Sequence, residues 1–312
     1  MVILQGLVLG AALGTMFTLS TLVLGSHYEF NLPLISMQGG FMGFIGAVVY
    51  TTIARQGLSA RIFVPIANGG IMLATLCTAL LLIRRVEVNE SSPGTKVSQK
   101  AMVFPQGLSK IFKEQGTCLF YLGDGLVFFG LLTFLTYIIA ILSQPPALIG
   151  PERGALVLLT MYSFSAFSAC IGANPRFRKR LGPVDTFIVA SLFASVASIV
   201  PAWTPSLTAG LVCGGAYGIS LGVVFALHIK VSTVFHHEKM VWHPDMPARV
   251  AIMIALCGSS AFAGLLGSAF IVETMREGVK IVTCMAAGCM LLGGSVIAIA
   301  RWRRCGKFYV AI

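Results

Sequence analysis

Of 312 residues, 56% are hydrophobic and only 11% are charged, against about 25% charged in a soluble domain. So few polar side chains cannot cover a water-facing surface, and lipid must be the solvent. A net charge of +11 would suit nucleic acid, but the Lys and Arg residues fall in short clusters between long apolar runs. That is how loop charges are distributed in a membrane protein, and it argues against a nucleic-acid partner.

At roughly 20 apolar residues per bilayer crossing, the chain predicts an all-α membrane protein with nine spans. They fall at about 1–25, 36–54, 62–83, 117–143, 154–174, 183–203, 206–229, 250–272 and 281–300, with no Lys or Arg inside any of them. The runs are too long and do not alternate, which excludes membrane strands. The long polar stretch at 84–116 contains Glu87, Asn89, Glu90, Pro93 and Gly94, a linker composition. Within it, Leu108–Phe112 suits a short helix on the membrane surface. The organisation expected is three helices in 1–83, a cytoplasmic linker at 84–116, a six-helix unit at 117–302 and a cytoplasmic tail at 303–312.

Counting Lys and Arg by side gives 17 on the face holding 84–116 and the C-terminus, and 5 on the other. The basic face is cytoplasmic by the positive-inside rule, which puts the N-terminus outside. The first span has no basic residue before its apolar core, so it reads as a retained helix rather than a signal peptide. Asn89-Glu90-Ser91 is a glycosylation sequon on the side assigned to the cytoplasm.

An internal repeat links the first span to the seventh. Gly6-Leu7-Val8-Leu9-Gly10-Ala11-Ala12-Leu13-Gly14 and Gly210-Leu211-Val212-Cys213-Gly214-Gly215-Ala216-Tyr217-Gly218 agree at six of nine positions. Gly39–Gly46 and Gly258–Gly267 link the second span to the eighth more loosely. A parallel repeat of six helices is the trace of two six-helix halves, so three helices are expected upstream of Met1. Gly6, Gly10 and Gly14, like Gly210, Gly214, Gly218 and Gly222, recur every four residues. That spacing carves a groove along one helix face for close packing. The functional alternative is a smooth face along which helices slide.

Several stretches in order resemble the fungal monocarboxylate-transporter-like group of the major facilitator superfamily. They are Gln5–Gly10, Gly43-Phe44-Ile45-Gly46-Ala47-Val48-Val49-Tyr50 and the run to Leu82-Ile83-Arg84-Arg85. Further along come Gly130 with Tyr137, Arg178-Lys179-Arg180-Leu181-Gly182-Pro183 and Gly264-Leu265-Leu266-Gly267. The resemblance implies helices 4–12 of a twelve-helix bundle. It also implies a secondary transporter in the plasma membrane that moves a small organic solute, a monocarboxylate or related metabolite, by alternating access with a proton. The competing expectation is a truncated, transport-inactive or regulatory protein of the same ancestry.

Ionisable groups inside a bilayer cost about 2.5–3.5 kcal/mol at mid-helix, so each needs a reason. Asp124 lies about 10 Å into the fourth span between Gly123 and Gly125. It is the first candidate for substrate or proton coupling, the alternative being a carboxylate protonated or paired with Lys110 or Lys113. His228, near the cytoplasmic end of the seventh span, is a second candidate or else an interface anchor. Tyr121 and Tyr137, like Tyr162 and Tyr217, line a cavity or pack in an aromatic belt. Glu273 and Asp185, at span ends, are expected to be solvated. His236, His237, Glu238 and His243 match no metal spacing.

The eight cysteines form no CxxC pair, and those in spans read as small apolar residues. Cys305 beside Arg303 and Arg304 is a weak palmitoylation signal. No metal site and no cofactor is expected. Nucleotide loops, Ser-His-Asp sets and HExxH motifs are absent from the sequence, so an enzyme is not expected.

Overall fold

A computed structural model describes residues 32–56, 114–145, 148–172, 182–204, 206–235 and 246–305, with short pieces at 69–71, 73–75, 77–78 and 112. Every regular element among them is helical. In chain order they are α1 (Leu32–Gln56), α2 (Thr117–Leu142), α3 (Pro151–Gly172), α4 (Pro183–Trp203), α5 (Leu207–Val234), α6 (Met246–Thr274) and α7 (Gly278–Cys305). The six from α2 to α7 are each long and apolar enough to cross a membrane, and the chain is a multi-pass integral membrane protein. The expected spans from the fourth to the ninth coincide with α2–α7, and the second lies within α1. The first span and its glycines Gly6, Gly10 and Gly14, most of the third span and most of the linker lie outside the described residues.

The helices overrun the apolar runs that predicted them. Lys230 lies in α5, Arg249 in α6, and Lys280, Arg301, Arg303 and Arg304 in α7. The hydrocarbon thickness sets the length of the apolar core, but the backbone ladder has no reason to stop at the headgroups. Local chemistry marks several ends. α2 begins after Gly116, whose φ of 85° is left-handed and where a Cβ would sit 2.8 Å from the Ala300 carbonyl oxygen. Pro183 opens α4, where a missing N–H costs nothing.

The surface confirms the solvent. On α4, Val189, Phe193, Val196, Val200 and Trp203 are 40–62% exposed and recur at helical spacing. Its opposite face buries the small residues Ser191, Ala194, Ser195 and Ser198. Large side chains outside and small ones inside would be untenable in water and suit lipid.

Packing follows the small residues. α2 runs antiparallel to α7, where a Cβ on Gly123 would lie 2.8 Å from the Gly293 carbonyl oxygen and one on Gly293 2.5 Å from that of Gly123. Gly130 meets the Ala286 carbonyl two turns on. α3 and α5 run parallel: Gly214 faces Val157, Gly218 faces the Met161 carbonyl and Gly222 the Ser165 carbonyl. There the four-residue glycine spacing does the packing work expected of it. α4 closes the ring between α5 and α7, α6 lies along α2, and α1 packs on α3 and α5. These directions are those of a chain that crosses a membrane and returns at each loop. They bring the ends carrying Glu114, Asp185, Arg249 and Arg301 together at one end of the bundle.

Candidate functional site

Asp124 is 1% exposed and sits on α2 where α5 and α6 converge. Gly125 admits α6 at this level, since a Cβ there would lie 2.8 Å from Ser260 Oγ. Gly123 opens the other side to α7. The two glycines flanking the carboxylate therefore let it be enclosed on both sides.

His228 of α5 and Cys257 of α6 complete the cluster. Asp124 Oδ2 lies 2.8 Å from His228 Nε2 and accepts the Cys257 thiol at 3.0 Å. Cys257 Sγ is 3.8 Å from His228 Nε2. All three residues are buried. Asp124 Oδ1 is also buried and has no hydrogen-bond partner among the described residues. Phe128 packs over the imidazole with ring centroids 4.5 Å apart, and Phe187 stacks on it at 6.3 Å.

In this contact the carboxylate and the imidazole can share one proton: with it on nitrogen they form an imidazolium–carboxylate pair, with it on oxygen a neutral acid and imidazole. A bare carboxylate among aromatic rings would be costly, which is the physical reason for an ionisable group at this depth to have its partner.

The candidates named from sequence separate here. Asp124 and His228 come together, so Asp124 has a partner from another helix; Lys110 and Lys113 lie outside the described residues. His228 is no interface anchor, being enclosed and paired. Tyr121, one turn from Asp124, packs against Phe112 and Phe120 with centroids at 6.0 and 5.7 Å. Tyr137 is far along α2, its hydroxyl 3.5 Å from the Leu265 carbonyl oxygen. Tyr217 is fully buried and donates to the Leu131 carbonyl at 2.6 Å, a packing role.

Two expectations are corrected. Asp185 is not simply solvated, because it pairs with the buried Arg301 across the α4–α7 contact. Cys257 is not an inert apolar residue, because its thiol is hydrogen-bonded to a carboxylate. Nothing in its spacing signals this, since the partners are separated by over a hundred positions. His236, His237, Glu238 and His243 lie outside the described residues.

No protein-family model matches the chain, and no curated protein matches it.

Proposed function

We propose that the chain is a secondary transporter of the major facilitator type. It moves a small organic solute, a monocarboxylate or related metabolite, across the plasma membrane by alternating access, with Asp124 and His228 as its proton-coupling pair. The observation that carries this reading is the buried Asp124–His228 contact at the meeting of α2, α5 and α6. An ionisable pair enclosed in an apolar bundle is costly to keep and marks a solute or proton path. The packing supports it: α2–α7 form a six-helix bundle and α1 is laid against α3 and α5, and in this reading α1 belongs to the opposing unit. The ordered resemblance of the sequence to that superfamily supplies the solute class.

The test is uptake of radiolabelled monocarboxylates into proteoliposomes with and without an inward proton gradient. Wild-type protein should accumulate one of them in the presence of the gradient, and Asp124→Asn should reduce accumulation to background while retaining its fold. Gradient-independent uptake, or wild-type rates in Asp124→Asn, would remove the coupling role. Failure of the whole series of monocarboxylates would remove the solute class.

A further inference from the structure

The Asp124–His228–Cys257 cluster offers more than a shared proton. Its donors are a carboxylate oxygen, an imidazole nitrogen and a thiol sulfur from three different helices, all within 4.8 Å of one another. A tetrahedral zinc site with bonds of about 2.0–2.3 Å has ligand-to-ligand edges of about 3.3–3.8 Å. The three separations here are 2.8, 3.0 and 3.8 Å. Each lies within roughly 0.6 Å of those edges, so a small spreading of side chains would seat the ion.

We propose that Asp124, His228 and Cys257 form a binding site for a borderline-soft divalent transition-metal ion, zinc being the best fit. Hard cations such as magnesium and calcium seek six or more oxygens, and cuprous ion prefers sulfur to carboxylate. Zinc accepts all three donor types and four-fold coordination. Oδ1 of Asp124 belongs to the same carboxylate as Oδ2, so the three residues supply three corners and leave the fourth position open, as in zinc sites that keep a place for an exogenous ligand. The orphaned Oδ1 is a second sign that the site takes a ligand, since it is buried without a hydrogen-bond partner among the described residues and an unpaired buried acceptor is costly.

Charge balance makes the site workable inside a membrane. A carboxylate and a thiolate supply two negative charges for a divalent ion and the imidazole binds as a neutral donor, the thiol proton leaving to solvent as the metal–sulfur bond forms. The loaded site is then neutral and the burial penalty for an isolated charge is avoided. The binding itself does not depend on the chain being a transporter.

Cobalt reports on such a site through its thiolate-to-metal charge-transfer absorption. The full chain is purified in detergent with Cys77, Cys118 and Cys284, which are exposed, replaced by serine. Titration with cobalt should give a charge-transfer band that saturates at one equivalent and disappears on adding one equivalent of zinc. Cys257→Ser should abolish the band, and His228→Asn should weaken cobalt binding by at least about 100-fold. A band that survives in Cys257→Ser, or none in the parent protein, would overturn the proposal. If Cys257→Ser does not fold, X-ray absorption of the zinc-loaded parent protein decides the matter. One sulfur neighbour at about 2.3 Å beside nitrogen and oxygen neighbours at about 2.0–2.2 Å is expected, and a shell without sulfur would refute the assignment.

Discussion

Arg249 grips Glu114 with both terminal guanidinium nitrogens, Nη1 to Oε2 at 2.8 Å and Nη2 to Oε1 at 2.5 Å. The arginine is 6% exposed, so the fork pins the start of α6 to the segment leading into α2. It lies at the same end of the bundle as Arg301–Asp185, and Arg304 reaches the Gln115 carbonyl at 3.3 Å.

Glu114→Gln removes the charge that compensates a buried arginine. We expect a loss of about 2 kcal/mol, since hydrogen bonds to charged groups contribute 1.5–3 and the glutamate is partly exposed. Arg249→Lys should recover little of the wild-type stability, because an ammonium cannot bind both oxygens at once. Thermal unfolding in detergent measures both, and an unchanged midpoint in Glu114→Gln would show that the fork contributes nothing.

At the α4–α7 contact, Arg301→Glu would place two carboxylates together against Asp185. The single variant should unfold at lower temperature, and adding Asp185→Arg should restore part of the loss. No recovery in the double variant would mean that the other contacts of Arg301 dominate.

The glycines on α5 should differ by position. A Cβ on Gly218 would strike the Met161 backbone carbonyl, which cannot yield without separating α3 from α5. A Cβ on Gly210 would meet the Leu142 methyl groups at 3.0–3.1 Å, ends of a side chain that can rotate. We therefore expect Gly218→Ala to cost about 1–3 kcal/mol and Gly210→Ala distinctly less, as read from unfolding midpoints. Equal effects would show that the backbone contact is softer than its geometry.

The Asp124–His228 pair should behave as a unit in a double-variant cycle. His228→Ala alone leaves a buried carboxylate without its main partner and should cost about 3 kcal/mol or more. In an Asp124→Asn background the same change should cost clearly less. Additive effects would mean that the two groups do not feel one another.

Orientation is open to labelling. With exposed native cysteines replaced, a cysteine at Arg153 should react with an impermeant maleimide in intact cells, and one at Lys307 only after permeabilisation. Asn89 should carry no sugar. The opposite pattern would invert the membrane topology drawn from the basic loops.

The helices were readable because a spanning segment must satisfy its own backbone and bury about 20 apolar side chains. Those demands fall on consecutive residues, so 183–203 was located to its terminal residues. The ends of α5, α6 and α7 were not, because Lys230, Arg249 and Arg301 sit on helical turns beyond the apolar run. Asp124 was legible as a candidate, since a carboxylate inside such a run is conspicuous by cost alone.

Its partners were not legible. His228 reads from sequence as a coupling candidate or an interface anchor and Cys257 as a small apolar residue, because sequence records neither which face a side chain presents nor which helix lies opposite. The sequence by itself determined the solvent, the six crossings α2–α7 and the presence of one costly carboxylate. Only the tertiary structure decided that an imidazole and a thiol converge on it. Helix rotation and partner choice are set by small-residue contacts such as Gly123–Gly293 and Gly218–Met161, long-range packing that no local pattern encodes.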